Sequence, residues 1–256
     1  MLYQAKQFIK FHRKASNQHG VHSPFVYELV TQCFYDQTPK DYYTEIANYR
    51  KALLKNHEVI TITDFGAGSR VFKSNFRKIS AIAQHAGATK KRSQLLARLT
   101  NHFQPQAILE LGTSLGIATM ALSSNPSSKV TSLEGCEQTA AVALEQLATY
   151  DRNNVKLITG RFRESLAHLL PRTYDLIYFD GNHQKVPTLS YFEQCLKTVN
   201  ERSVFIFDDI HWTTEMEAAW KHIRNHKKVS LSVDTYKWGL VFFIKGRVKE
   251  HFTLRI

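Results

Sequence analysis

The sequence predicts an α/β fold with a mostly parallel sheet that ends in an antiparallel hairpin, and two observations support this. From residue 86 onward, short apolar runs alternate with amphipathic helical stretches, which is the pattern of β-α units. The last two runs, Val229–Val233 and Leu240–Ile244, are separated by too few residues for a crossover helix. They should therefore pair antiparallel, unlike the last strands of a dehydrogenase sheet, which are parallel.

The individual elements follow from these runs and from the spacing of apolar residues between them. Strands are predicted at Ala107–Leu111, Val130–Leu133, Val155–Thr159, Tyr174–Phe179, Val204–Phe207, Val229–Val233 and Leu240–Ile244. Helices are predicted at Gln94–Phe103, Ile117–Ser123, Gln138–Tyr150, Arg163–Leu170, Thr188–Val199 and Glu215–Asn225. These elements form a Rossmann-like sheet of seven strands within a domain of residues 86–256.

Residues 1–85 are expected to form a mainly helical cap. Tyr3–Lys14 and Pro24–Phe34 have helical patterns, and Ser23 and Pro24 suit the N-cap and the first helical position. Val59–Ser69 has the pattern of a strand, an acidic residue and a glycine turn, but no second strand with a terminal acidic residue follows ~20 residues later. The basic stretch after it, residues 70–92, is read as loosely helical. We interpret Asp64–Ser69 as a loop that either closes over a ligand or is an ordinary turn.

Composition limits the classes of function. The chain has 256 residues, three distant cysteines and no CxxC pair, which argues against a disulfide framework or a zinc site. Its N-terminus lacks a signal-peptide core, and no apolar run approaches the ~20 residues of a membrane helix, so we expect a cytoplasmic protein without membrane attachment. The net charge of +12 is compatible with nucleic-acid binding, but the basic residues are scattered.

A glycine turn follows the first strand of the domain. Glu110-Leu111-Gly112 ends that strand and Gly116 precedes a helix, so the backbone can approach a ligand closely and free N–H groups are available. The second strand ends at Glu134, 24 residues after Glu110, where a carboxylate can accept hydrogen bonds from both ribose hydroxyls. The alternative for Glu134 is a solvated loop carboxylate.

Five polar side chains follow the fourth and fifth strands. They are Asp180, His183, Asp208, Asp209 and His211. Because the carboxyl ends of parallel strands face one crevice, these groups should converge there. Packing alone does not explain such a set after two apolar strands.

With these motifs, residues 105–245 resemble class I S-adenosylmethionine (SAM)-dependent methyltransferases. The closest resemblance is to catechol- and caffeoyl-CoA-like O-methyltransferases and related small-molecule enzymes with an Asp-Gly-x-His turn. The resemblance implies the seven-stranded methyltransferase sheet and a SAM site. The residues implied in cofactor binding are Glu110, Gly112, Thr113, Gly116, Glu134, Gly160, Phe162 and Asp180. Arg161 departs from the family, which usually has a small acidic or polar residue there, so Phe162 is the expected adenine contact.

The resemblance also implies a chemistry for the acceptor. Asp180, Asp208 and Asp209 match positions that hold a divalent metal, usually Mg²⁺, although Asp209 stands where an Asn is usual. The family's catalytic lysine corresponds to His183, and a histidine is well suited to accept a proton at neutral pH. The metal-free alternative uses His183 as the base, with the carboxylates, Asp180 among them, orienting it.

The expected function is therefore O-methylation of a small-molecule hydroxyl, with His183 and Asp180 as catalytic residues. Two alternatives remain open. One is a nucleic-acid (RNA) methyltransferase, which the basic charge favours, although the Asn/Asp-Pro-Pro-Tyr/Phe turn of amino-group methylases is missing after strand four. The other is a non-catalytic binding protein with a SAM-type fold. The acceptor and the oligomeric state do not follow from the sequence.

Overall fold

The computed structural model describes residues 2–66, 68 and 71–256. The α-helices are α1 (Leu2–Lys14), α2 (Pro24–Glu28), α3 (Asp41–Lys55), α4 (Ile79–His85), α5 (Lys90–Phe103), α6 (Ile117–Leu122), α7 (Glu137–Ala148), α8 (Phe162–Leu169), α9 (Lys185–Cys195) and α10 (Thr214–Asn225). The strands are β1 (Val59–Thr61), β2 (Phe76–Lys78), β3 (Ala107–Leu111), β4 (Lys129–Glu134), β5 (Val155–Thr159), β6 (Leu176–Phe179), β7 (Val204–Asp208), β8 (Leu231–Asp234), β9 (Trp238–Phe242) and β10 (Glu250–Thr253).

The chain forms two compact units. The central unit contains Gln37–His168, and the terminal unit combines the N-terminal residues up to Asp36 with Leu169–Ile256. The elements of the expected cap are divided between them, since α1 and α2 belong to the terminal unit and α3, α4, β1 and β2 to the central unit. The boundary after residue 85 stays a prediction.

Three parallel strands form the middle of the central unit. β3 pairs with β4 and β4 pairs with β5, so that Glu110 lies opposite Ser132 and Glu134 lies opposite Thr159. The inward side chains of β3 and α6, such as Leu109 and Met120, are fully buried. β3 is almost completely buried, which is typical of a parallel strand that is covered on both faces, and its bounds are those predicted. β5 also has its predicted bounds, although it is only partly buried.

The terminal unit contains the predicted hairpin. Its strands lie in the order β10-β8-β9-β7-β6, with β6 and β7 parallel and β9 antiparallel to both β7 and β8. The predicted fold class is confirmed, and β10, which runs parallel to β8, is the strand that the seven-strand prediction lacked. β10 begins Glu250-His251, and such a short, half-polar edge segment has no clear strand signal.

Aromatic side chains fill the core of the terminal unit. The rings of Phe179 and Phe207 stack with centroids 4.3 Å apart. Trp220 is fully buried on α10. A Cβ at Gly239 would lie 2.6 Å from the Trp220 ring, so β9 can approach the indole only because this residue has no side chain.

The N-terminal helices begin as the sequence predicts. Ser23 caps α2 by accepting a hydrogen bond from the Val26 N–H at 3.3 Å, and Pro24 occupies the first turn. The helix then continues as a π-helix over Leu29–Phe34. None of the helices within residues 2–66 and 71–256 is long and apolar enough to cross a membrane.

The glycine-rich segment near residue 60 belongs to a small antiparallel pair. β1 pairs with β2 through Val59–Lys78, Ile60–Arg77 and Thr61–Phe76. The expectation of a loosely helical segment was therefore wrong for Phe76–Lys78, and α4 follows directly. Asp64, Phe65, Gly66 and Gly68 of the proposed turn are described, whereas Ala67 and Ser69 lie outside the described residues.

Candidate active site

Glu110 is a fully buried carboxylate near the end of β3. Its Oε2 accepts hydrogen bonds from the hydroxyls of Ser132 at 2.5 Å and Thr119 at 2.6 Å. Its Oε1 is buried and has no hydrogen-bond partner among the described residues. Burial raises the pKa of Glu110 to about 7, although the two hydroxyl donors oppose this shift. One carboxylate oxygen is thus held and the other is available for a further donor.

The turn after Glu110 requires its glycines. Gly112 has φ 109° and Gly116 has φ 78°, a region that residues with a side chain rarely adopt. A Cβ at Gly116 would also overlap the hydroxyl of Tyr49, which donates to a turn carbonyl at 2.8 Å. Thr113 lies 2.5 Å from the Ser132 hydroxyl and so extends the polar network below the turn.

Glu134 connects two turns of the central unit. Its carboxylate accepts the N–H of Ser114 at 2.7 Å and the N–H of Cys136 at 2.9 Å. Burial raises its pKa, and the backbone donors act in the opposite direction. The Glu134 carbonyl accepts the Gly160 N–H at 2.8 Å, which places the turn after β5 beside the end of β4. Phe162 opens α8 and is half-buried.

Tyr178 joins two of the predicted site carboxylates in the terminal unit. Its hydroxyl lies 3.1 Å from Oδ2 of Asp180 and 3.3 Å from Oδ2 of Asp208. Tyr178 and Asp208 are buried, whereas Asp180 is half-buried. The carboxyl ends of β6 and β7 therefore meet through one phenol group.

His183 lies on a backbone turn of unusual conformation. Asn182 and His183 have φ angles of 72° and 43°, which are uncommon for residues with a side chain. Nε2 of His183 lies 3.7 Å from Oδ1 of Asp180. Strained residues of this kind cluster at functional sites.

Asp209 faces a cation from the β8–β9 turn. Nζ of Lys237 lies 3.6 Å from Oδ1 of Asp209. The same ammonium lies 5.8 Å from the Trp212 ring centroid and 5.7 Å from that of Tyr236, within the range of cation–π contacts. Asp209 has φ 50°, so the strand end after β7 is also unusual.

His211 belongs to a buried polar group around Asp234. Nε2 of His211 lies 2.9 Å from Oδ2 of Asp234, and the same oxygen accepts the Trp220 indole N–H at 3.2 Å. Oδ1 accepts the Tyr236 N–H at 2.9 Å. The His211 ring stacks on Tyr236 with centroids 5.5 Å apart. This group fixes the turn between β8 and β9.

A family model described as "Methyltransferase domain" matches residues 109–210, which contain the glycine turn, Glu134, Tyr178, Asp180, His183 and Asp208. These residues therefore carry a methyltransferase domain. The prediction of such a domain from the motifs is therefore confirmed.

Two curated relatives match part of the chain. They are the proteins named "Transmembrane O-methyltransferase homolog" of Mus musculus and Rattus norvegicus, each 36% identical over 89 residues. The match covers 33% of this chain and 34% of each relative, so the chain spans about a third of the length of these relatives.

Solved structures agree with the methyltransferase fold. SAH-bound PaMTH1 of Podospora anserina has a TM-score of 0.60 at 14% identity, covering 87% of this chain and 97% of that one. The O-methyltransferase TomG of Streptomyces achromogenes with SAM has a TM-score of 0.56 at 16% identity, covering 90% and 99%. The O-methyltransferase of Bacillus cereus with SAH has a TM-score of 0.55 at 20% identity, covering 82% and 93%. At these identities the likeness shows the fold.

The residues of the central unit fit the cofactor that a methyltransferase domain requires. The free Oε1 of Glu110 offers an acceptor for a cationic amino group at the end of β3. Gly112 and Gly116 allow the positive φ angles of the turn after β3, and Glu134 stands at the end of the next strand. Glu134 ends the strand at which the sequence predicts the ribose carboxylate, and Glu110 is among the residues that the resemblance implies in cofactor binding.

The predicted metal ligands of the methyltransferase domain do not fit a divalent cation in this arrangement. Among the residues that the structure describes, no group of three His, Cys, Asp or Glu side chains is placed to hold a metal ion. The Tyr178 hydroxyl lies between Asp180 and Asp208, and Lys237 neutralises Asp209. A hydrogen-bond donor and an ammonium thus stand where the resemblance implies a metal.

Sequence reasoning missed Tyr178, Lys237 and Asp234. Tyr178 had a detectable signal, because it precedes Asp180 by two residues and side chains two apart share one face of a strand. Lys237 and Asp234 come from the hairpin, and nothing in their local sequence indicates contact with Asp209 or His211.

Proposed function

We propose that this protein is a SAM-dependent O-methyltransferase that acts on a hydroxyl of a small molecule. The observation that carries the proposal is the unpartnered Oε1 of Glu110 at the end of β3, next to a glycine turn that only glycine can form. A buried carboxylate oxygen without a partner is costly, and a ligand ammonium would satisfy it.

The central unit binds and orients the cofactor in this proposal. Glu110 pairs with the ammonium of SAM, and Glu134 accepts hydrogen bonds from the ribose hydroxyls with lone pairs that Ser114 and Cys136 leave free. Thr113 and Gly160 line the same strand ends, and Phe162 borders the adenine. SAM itself supplies an activated methyl group, so these residues have only to hold it in position.

His183 accepts the acceptor's hydroxyl proton. Oδ1 of Asp180 lies 3.7 Å from Nε2 of His183, so this carboxylate can stabilise the imidazolium that forms when His183 accepts the proton. The positive φ at His183 fixes its backbone and limits the positions of the ring. Asp180 is in turn oriented by the Tyr178 hydroxyl.

The proposed reaction is metal-independent. The Tyr178 hydroxyl contacts Asp180 and Asp208, and the Lys237 ammonium pairs with Asp209. In this proposal, deprotonation depends on His183 rather than on a metal cation that lowers the hydroxyl pKa. Lys237 remains half-exposed and can stabilise negative charge on the acceptor oxygen. The acceptor class is a phenol or another small hydroxyl compound, as the resemblance implies.

The first test is calorimetric titration with SAM and S-adenosylhomocysteine (SAH) for the wild type, Glu110→Gln and Glu134→Ala. We expect micromolar binding by the wild type and a loss of at least about tenfold in each variant, the size of a lost hydrogen bond to a charged group. Glu137→Ala, an exposed carboxylate at the start of α7, is the matched control and should bind normally.

Methyl transfer is then tested with labelled SAM and a panel of phenols and catechols, with and without EDTA. Transfer that is unaffected by EDTA supports the proposed reaction, and transfer that requires added Mg²⁺ contradicts its metal-free form. If the folded wild type binds neither SAM nor SAH, the proposed function is wrong.

A further inference from the structure

Phe65 lies against the turn that follows Glu134. A Cβ built at Gly135 would be only 2.6 Å from Cδ2 of the Phe65 ring, so the ring occupies the space that any side chain at residue 135 would take. Phe65 is nevertheless 43% exposed, which is unusual for a large apolar side chain that approaches a backbone so closely.

Arg161 covers part of the same ring from the neighbouring turn. Its guanidinium carbon lies 5.2 Å from the Phe65 ring centroid, within the range of a cation–π contact. Arg161 follows Gly160, whose N–H donates to the carbonyl of Glu134. Phe65 therefore lies where the turns after β4 and β5 come together.

The segment that carries Phe65 is anchored to the start of α7. The N–H of Thr61 donates to Oε1 of Gln138 at 2.5 Å, and the N–H of Thr63 donates to Sγ of Cys136 at 3.4 Å. The Cys136 thiol in turn donates to the Thr61 carbonyl at 3.6 Å. These three contacts fix the end of β1 directly beside the turn that holds Glu134.

We infer that Phe65 is a cofactor-binding residue that stacks on the adenine of SAM. This inference rests on the proposed function. Adenine is bonded to the ribose that Glu134 holds, so a ring that touches the residue after Glu134 is within reach of the base. The face of an aromatic side chain can stack on a nucleobase. Arg161 adds a cation–π contact to the same Phe65 ring.

Stacking of Phe65 on the adenine accounts for two features of the sequence, the arginine at position 161 and the glycine turn at residues 64–66. Arg161 replaces the small acidic or polar residue usual in the family, and here it packs on Phe65 instead of contacting the base edge. The Asp64-Phe65-Gly66 turn, which resembled a second nucleotide-binding turn in the sequence, contributes an aromatic side chain to the first one. Asp64 accepts the Gly66 N–H at 2.9 Å and so stabilises the bend that presents Phe65.

The test measures SAH binding by calorimetry for the wild type, Phe65→Ala, Phe65→Trp and the control Phe76→Ala. Phe76 is on β2 of the same hairpin and is 68% exposed, so its removal should leave SAH affinity unchanged. We expect Phe65→Ala to weaken SAH about tenfold and Phe65→Trp to stay within about twofold of the wild type. Thermal unfolding of each variant checks that it is folded.

A second ligand separates the two ends of the cofactor. 5′-Methylthioadenosine has the adenosine but lacks the amino-acid end, so Phe65→Ala should weaken it as much as SAH, whereas Glu110→Gln should weaken SAH only. If the wild type binds SAH and Phe65→Ala binds each ligand with the same affinity as the wild type, Phe65 does not contact the adenine. The inference is then overturned while the proposed function stands. If the wild type binds neither ligand, the proposed function has failed.

Discussion

The Tyr178 hydroxyl lies 3.1 Å from Oδ2 of Asp180. The same hydroxyl lies 3.3 Å from Oδ2 of Asp208. The Tyr178 side chain on β6 therefore contacts two carboxylates, which lie at the ends of neighbouring strands. Lys237 compensates the third carboxylate, that of Asp209, at 3.6 Å. One hydroxyl donor and one ammonium thus stand where the resemblance implies a divalent cation.

This arrangement predicts that the wild-type protein does not take up a divalent metal at these aspartates. Titration with Mn²⁺, followed by electron paramagnetic resonance in the presence of SAH, should show no stoichiometric binding up to about 1 mM, a concentration that fills even weak carboxylate sites. The double variant Tyr178→Phe with Lys237→Ala frees the carboxylates and should gain Mn²⁺ binding. Lys237→Arg keeps the cation and is the control. Tight binding of one Mn²⁺ by the wild type would contradict the prediction.

Glu110 should make stability depend on pH. Its pKa is raised from 4.5 to about 7 in the folded state, so between these values the folded protein holds a proton that the unfolded chain has lost. The contribution of Glu110 to the free energy of unfolding is fully present below pH ~4.5 and is lost as the pH rises to about 7. The full loss is on the order of 3 kcal/mol.

Glu110→Gln should remove this dependence. Urea unfolding at pH 5 and pH 8 should show that the variant loses less stability between the two conditions than the wild type, by an amount on the order of 3 kcal/mol. Glu137→Gln, at an exposed position of α7, should behave like the wild type. An identical pH dependence for Glu110→Gln and the wild type would show that Glu110 titrates normally in the folded protein.

His183 should affect turnover without affecting cofactor affinity. His183→Gln removes the proposed base, and methyl transfer at saturating SAM should fall by about 10² to 10⁴, the usual contribution of a general base. SAH affinity should change less than about twofold, because the cofactor contacts lie in other residues. His168→Gln, an exposed histidine on α8, is the control. Unchanged transfer by a folded His183→Gln protein would exclude this residue as the base.

The sequence was most informative where local pattern and burial agree. β3 was predicted with its observed bounds because Ala107–Leu111 is apolar except for Glu110 and ends at a glycine turn. β10 was missed because three of its four side chains are polar, and a strand at a sheet edge needs no apolar pattern. Phe65, Tyr178 and Lys237 were not recognised as site residues. Phe65 and Lys237 contact residues that are distant in the sequence, and Tyr178 contacts Asp208 on the neighbouring strand.

Among the polar residues of the β8–β9 hairpin, substitution of Asp234 should reduce the free energy of unfolding most. One of its oxygens accepts from both His211 and Trp220, at 2.9 and 3.2 Å, and the other accepts the Tyr236 N–H at 2.9 Å. Asp234→Ala would leave the fully buried Trp220 indole N–H without this acceptor and would remove the hydrogen bond with His211, which together cost about 3 kcal/mol of unfolding free energy.

Urea unfolding of Asp234→Ala, Asp234→Asn and the wild type tests this point. Asn keeps one side-chain acceptor of the same shape, so Asp234→Asn should recover at least half of the loss. Trp220→Phe provides a second comparison, because it removes the indole donor and should make the additional change Asp234→Ala less costly than it is in the wild type. Equal costs of Asp234→Ala in both backgrounds would mean that the Trp220–Asp234 hydrogen bond contributes nothing to stability.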